Sequence, residues 1–207
     1  MVIVEPGVRS RIRAQHPVGG LFRRSRQQRT LSLALQGGGV QGAFTWGVLD
    51  ALLEDGRFRF DGLSGASAGA MNAAAVAHGL ACGGVDLARE TLARFWSRVG
   101  RALPGEAGPA VSTTGSDSPP GVHMMLLWTK WLSPYQFNPL DINPLRSITE
   151  ELFDFERIRE ASPVRLFVAA THANTGQLRL FCNHEISANA LLASACLPML
   201  HQVLAPQ

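Results

Sequence analysis

The order of apolar and polar positions divides the chain into short segments of two kinds. Residues 31–36 (LSLALQ) are a brief apolar run halted by glycine, which predicts a buried strand. From residue 42 to residue 55 the side chains Phe44, Val48, Leu49, Leu52 and Leu53 recur at helical spacing, and Gly56 supplies a stop. Residues 58–65 predict a second strand, and residues 67–78 a second, alanine-rich helix ended by Gly79. Asp86 is placed to cap a third helix running to about residue 99. Further on, residues 148–155 predict a helix and residues 164–170 and 177–182 two strands, joined by HANTG as a hairpin turn. Residues 188–195 complete the series as a short helix halted near Pro198. Strands that alternate with helices predict an α/β fold, with a mostly parallel sheet and helices on both faces. No internal repeat is visible.

One stretch breaks this order. Residues 101–121 are rich in Gly, Pro, Ser and Thr without a period, which predicts a long loop or insertion. The apolar and aromatic segment 122–145 follows, and two readings fit it. It is a core helix with a turn-rich connection, or a flap over a lipid site that sets Trp128 and Trp131 at a membrane interface.

Composition narrows the class. A chain of 207 residues suits one domain with a sizeable core. No apolar run is long enough to span a membrane, and no apolar segment near the start reads as a secretory signal. Cys82, Cys182 and Cys196 are far apart and odd in number, so buried thiols are expected rather than disulfides or a zinc site. No metal or cofactor is called for.

Charge is unevenly spread. Arg9, Arg11, Arg13, Arg23, Arg24, Arg26 and Arg29 precede residue 31, against Glu5 alone, while the remainder is slightly acidic. Residues 1–30 lack any period and are expected to be a disordered basic arm, ahead of a folded domain over residues 31–207. The arm is either a solvated tail or a contact for anionic lipid headgroups. Nucleic acid is set aside, because the arm is nearly without aromatics and the folded part is not basic. The expected location is cytoplasmic, in peripheral contact with a membrane surface.

Two glycine-rich stretches carry candidate chemistry. Gly65-Ala66-Ser67-Ala68-Gly69 fits G-x-S-x-G where a predicted strand meets a predicted helix. There a serine projects its hydroxyl at a helix N-terminus, and Ala70, Ala73 and Ala74 let the helix lie close to the sheet. A tight turn with a capping serine would look the same locally. The second stretch is Gly37-Gly38-Gly39, with Gly42 just beyond, between the first strand and the first helix. Consecutive strands of a right-handed β-α-β unit bring their C-terminal ends to one sheet edge, so this loop and Ser67 should meet. Backbone N–H groups free of side chains suit the oxyanion formed when an ester is cleaved. Gly37, Gly39 and Gly42 also fit the dinucleotide fingerprint G-x-G-x-x-G, with Asp61 as the ribose contact. Asp61 lies too early in its strand for that role.

Residues 33–80, LALQGGGVQGAFTWGVLDALLEDGRFRFDGLSGASAGAMNAAAVAHGL, resemble the start of a patatin-like phospholipase domain. NPLRSITEELFDFERI, VRLFVAATHANTGQLRLF and ALLASACLPML resemble its continuation, over roughly residues 30–200. The resemblance implies a three-layer α/β/α fold, hydrolysis of lipid acyl esters and a Ser–Asp dyad. It makes Ser67 the nucleophile and Gly37, Gly38, Gly39 and Gly42 the oxyanion loop. Gln41 stands where many members carry arginine or lysine. The family's dyad aspartate follows the segment matching SACLPML, whereas this chain reads HQVLAPQ there. The expectation is therefore a C-terminally incomplete domain of feeble turnover. Two other readings stay open. One is a non-catalytic lipid- or protein-binding module on the same fold. The other is a Ser–His–Asp hydrolase drawing on His172, His184 or His201 with Asp141 or Asp154.

Overall fold

The computed structural model describes residues 2–4, 28–102 and 143–196. Strand β1 is Val2–Val4, β2 is Arg29–Leu35, and a 3₁₀ turn at Gly39–Gln41 leads into helix α1, Gly42–Asp55. Then come β3 (Phe58–Ala66), α2 (Ala68–Cys82) and α3 (Gly84–Ala102). The last part holds α4 (Pro144–Leu152), α5 (Phe155–Ala161), β4 (Arg165–Thr171), β5 (Leu178–Cys182) and α6 (Ala188–Ala195).

The strands form one five-stranded sheet in chain order, β1-β2-β3-β4-β5. The β2–β3 and β3–β4 pairings are parallel, and β1 and β5 close the two edges antiparallel. Three parallel neighbours taken in sequence, with right-handed connections, place their helices on one face. Burial follows that rule. Leu31, Leu33 and Leu35 of β2, Phe60 and Leu63 of β3, and Leu166 and Val168 of β4 share a single core with α2 and the helices packed on it. The alternate positions Ala34, Ser64, Ala66, Phe167 and Ala169 face the other way and, with Leu180, line a hollow of about 570 Å³. The described residues thus supply the sheet and one helical layer of the expected three.

Helix α2 lies at the centre. Ala70, Ala73, Ala74, Ala75 and Ala77 are fully buried, which lets its backbone approach both sheet and neighbouring helices. The expected stop at Gly79 does not occur, and α2 continues to Cys82. Gly79 instead abuts Ala88 of α3, where a Cβ would collide with the facing backbone. Helix α3 starts at Gly84, so Asp86 sits in its first turn rather than at its cap. Arg89 of α3 grips Asp50 of α1 through two hydrogen bonds of 2.7 and 3.1 Å, which holds the Asp50 carboxyl below its ordinary value.

Where one helix was expected over residues 148–155, two form. Pro144 opens α4 behind an Asn143 cap, and Asp154 caps α5 by accepting the Arg157 N–H at 2.9 Å. The hairpin forms as expected, with His172 N–H donating to Gln177 O at 2.8 Å and Gly176 at φ 68°. The basic arm begins with the strand β1, for which its composition gave no sign; residues 5–27 lie outside the described part. So do the loop beyond Ala102, Trp128, Trp131, Asp141 and His201. Cys82, Cys182 and Cys196 form no disulfide; Cys82 is exposed and the other two half-buried, contrary to the expected burial. No described helix is long and apolar enough to cross a membrane.

Candidate active site

Strand β3 runs straight into α2 with Ser67 as the joint. Its φ of 53° and ψ of −123° make it the one described non-glycine residue at positive φ. Such a conformation costs of order 1–3 kcal/mol and persists only where the surroundings enforce it. Two glycines make the reversal possible. A Cβ at Gly65 would collide with the backbone of Gly69 and Ala70, and one at Gly69 with the Leu35 carbonyl. The elbow is therefore folded tightly against the end of β2. Ser67 does not cap α2 with its side chain, so the simple capping role is not the one adopted. Ala66 precedes it on the half-exposed face, and Ala68 follows it in the core.

The glycine loop passes directly beside this joint. A Cβ on Gly37 would stand 3.0 Å from the Ala66 carbonyl oxygen and 3.3 Å from Ser67 Cβ. Gly38 and Gly39 adopt φ of 151° and 57°, which side chains rarely tolerate. Gln41 N–H donates to Gly38 O at 3.1 Å and closes the turn, leaving the N–H groups of Gly38 and Gly39 without a partner among the described residues. Gly42 is buried. A Cβ there would lie 2.6 Å from Ala68 Cβ and 2.8 Å from the Trp96 ring, so α1 and α2 start in contact. Asn72, fully buried, fixes this contact. Its Nδ2 donates to Gly42 O at 2.9 Å, and its Oδ1 accepts the Trp96 Nε1–H at 2.8 Å.

On the other flank of Ser67 stands Ser194 of α6. Ser67 N–H donates to Ser194 Oγ at 2.8 Å, and the same hydroxyl donates to Ala169 O at 2.6 Å. Neither Asn72 nor Ser194 stood out in the sequence. An asparagine inside MNAAAVA was a usable signal, because a lone amide in a buried alanine helix needs a partner. Ser194 had only its place in ALLASACLPML.

The remaining candidates are spread over the molecule. Asp61 lies partway along β3, paired with Arg165 on the surface. His172 sits in the β4–β5 turn with Nδ1 3.0 Å from Thr175 Oγ1, and His184 is exposed beside Glu185. Asp154 donates its N–H to His78 Nδ1 at 3.1 Å. His78 is eleven residues along α2 from Ser67, about 16 Å at helical rise, so Asp154 is remote from the elbow. Burial pushes the His78 imidazole below its ordinary value, against the pull of the Asp154 carboxylate. No described residue hydrogen-bonds Ser67 Oγ, and no group of three metal-ligating side chains converges among the described residues.

The family model of patatin-like phospholipases matches residues 33–206. No curated protein and no solved structure matches the chain in the corresponding comparisons.

Proposed function

The chain belongs to the patatin-like phospholipase family, and from that premise we propose that it is a serine acyl hydrolase acting on lipid esters through Ser67. The observation that carries this reading is the strained Ser67 at the β3–α2 joint, set beside a glycine loop whose N–H groups are unpaired among the described residues. Ser67 Oγ attacks the acyl carbonyl carbon as a base takes its proton; the family resemblance implies a dyad aspartate for that role, and no aspartate follows Asp154 in the given sequence. The carbonyl oxygen becomes an oxyanion, received by the N–H groups of Gly37, Gly38 and Gly39 with Gly42 anchoring the loop. The alcohol leaves with a proton, and water releases the acyl group from the serine.

Lipid is the substrate class that the surroundings favour. Val40 and Phe44, 55% and 78% exposed, stand beside the glycine loop. An exposed aromatic next to a candidate site suits a lipid surface better than water. The arginines of the N-terminal arm belong to the same reading, as a contact for anionic headgroups at a cytoplasmic membrane surface.

A second reading, a lipid-binding module without catalysis, is favoured by one observation. No described acid or base reaches Ser67 Oγ. Labelling with a fluorophosphonate separates the two. An activated nucleophile gives a covalent adduct on Ser67, located by mass spectrometry and abolished in Ser67→Ala. A folded chain that takes no label at Ser67, or takes it on another serine, overturns the hydrolase.

A further inference from the structure

We propose that Ser194 is a positioning residue that pins the nucleophile elbow, through a hydroxyl that stands between Ser67 N–H and Ala169 C=O. The inference rests on the reading of Ser67 as nucleophile, and names the device that holds it in place.

The argument begins with the ladder between β3 and β4. Their parallel pairing runs from Gly62↔Arg165 to Ala66↔Ala169, and then β3 turns away into α2. The next rung of a parallel ladder would join the N–H of residue 67 to a carbonyl at the end of β4. The pairing stops at Ala66↔Ala169, and the Ser67 N–H is taken by Ser194 rather than by such a rung. Ser194 Oγ fills the gap, accepting from Ser67 N–H at 2.8 Å and donating to Ala169 O at 2.6 Å. A hydroxyl is suited to this task because it donates and accepts through one atom. It comes from α6, whose Leu191 and Leu192 are buried and whose Ser187 cap accepts the Ala190 N–H at 3.2 Å. The pin is thus anchored in a packed, capped helix.

Two consequences follow for the proposed chemistry. Ser67's own N–H is engaged by Ser194, so it is not a donor to the oxyanion, and that work falls to the glycine loop. The position of Oγ relative to the loop is set by the backbone of Ser67, and displacement of a reacting atom by about 1 Å costs on the order of 100-fold in rate.

The test uses the full chain and an isosteric pair. Ser194→Thr keeps the hydroxyl, Ser194→Val replaces it with a methyl group of the same shape, and Ser194→Ala removes it. Wild-type protein is first labelled at Ser67 with a fluorophosphonate; absence of labelling would count against the nucleophile assignment, and amide hydrogen exchange at Ser67 would still read the pin. With labelling in hand, the expected result is a fall in kcat on a soluble ester of about 10- to 100-fold in the alanine and valine variants. KM stays within about twofold, and the threonine variant recovers most of the rate. The Ser67 amide exchanges slowly in the wild-type and threonine proteins and fast in the other two. Equal turnover in all four proteins overturns the proposal. So does an unprotected Ser67 amide in the wild type, or a threonine variant no better than valine.

Discussion

Ser67 and the glycines around it act at the scale of single atoms, because the elbow leaves no room for a Cβ at Gly65 or Gly69. Asn72 works at the same scale with the opposite means, a polar group with both ends satisfied in a fully buried place. Replacing Asn72 by Ala leaves the Trp96 N–H and the Gly42 carbonyl without their partner. The variant should lose about 1–3 kcal/mol in urea denaturation. It should also lower turnover on a soluble ester, since the start of α1 carries the glycine loop. A variant as stable as the parent would remove Asn72 from the account. What the sequence made legible here was local. G-x-S-x-G and the glycine run declare themselves within a few residues. The partners of Ser67 do not, because Ser194 lies 127 positions away and nothing along the chain couples the two.

Elements were legible where their signals were local and obscure where tertiary packing decided. The run of alanines marked α2 as a helix, but Gly79 did not end it. Contact with Ala88 leaves no room for a Cβ there, and the helix runs on through that position to Cys82. The break between α4 and α5 was missed because Asp154 reads as an ordinary helical residue until its carboxylate is seen capping α5. The Asp154 backbone N–H meets His78 across α2, and this contact gives the helix pair a pH dependence. Burial holds the folded-state pKa of His78 below 6.5, so the unfolded chain binds the proton first as pH falls. The stability tied to a neutral His78 is complete above pH 6.5 and drains away as pH descends from there toward the depressed value. Urea midpoints at pH 7.5 and pH 5 should therefore diverge more in the parent than in His78→Gln. Equal divergence would show that other groups set the acid sensitivity.

Across the whole molecule the α/β class was legible from strand–helix alternation, while the one-sided arrangement of the described helices was not, since alternation alone does not fix strand order. The arm carries a similar lesson. Its arginines were plain, yet Val2–Val4 pairs with Ser32–Ala34 at the sheet edge, so truncating the arm would strip a strand as well as charge. Exchanging Arg9, Arg11, Arg13, Arg23, Arg24 and Arg26 for Gln tests the charge alone. Binding to vesicles rich in anionic lipid should weaken, by up to about 1 kcal/mol per arginine at low salt, and the difference should shrink as salt is raised. Equal binding before and after the exchange would reduce the arm to a solvated tail.

The order of the strands has a stereochemical consequence. Ser67 ends the middle strand of three, and its neighbours are unlike: the glycine loop on the β2 side offers N–H groups, whereas on the β4 side Ser194 has already closed the gap. On the proposed hydrolase reading, an acyl group attacked at Ser67 turns its oxygen toward β2, and the tetrahedral centre forms with one handedness. A phosphonate with a stereogenic phosphorus, resolved into its enantiomers, should reveal this directly. One mirror image sets its P=O into the loop and inactivates the protein about 10-fold faster or more, while the other meets a flank without donors. Equal rates for the two hands would mean that the oxyanion is received from both sides of the elbow.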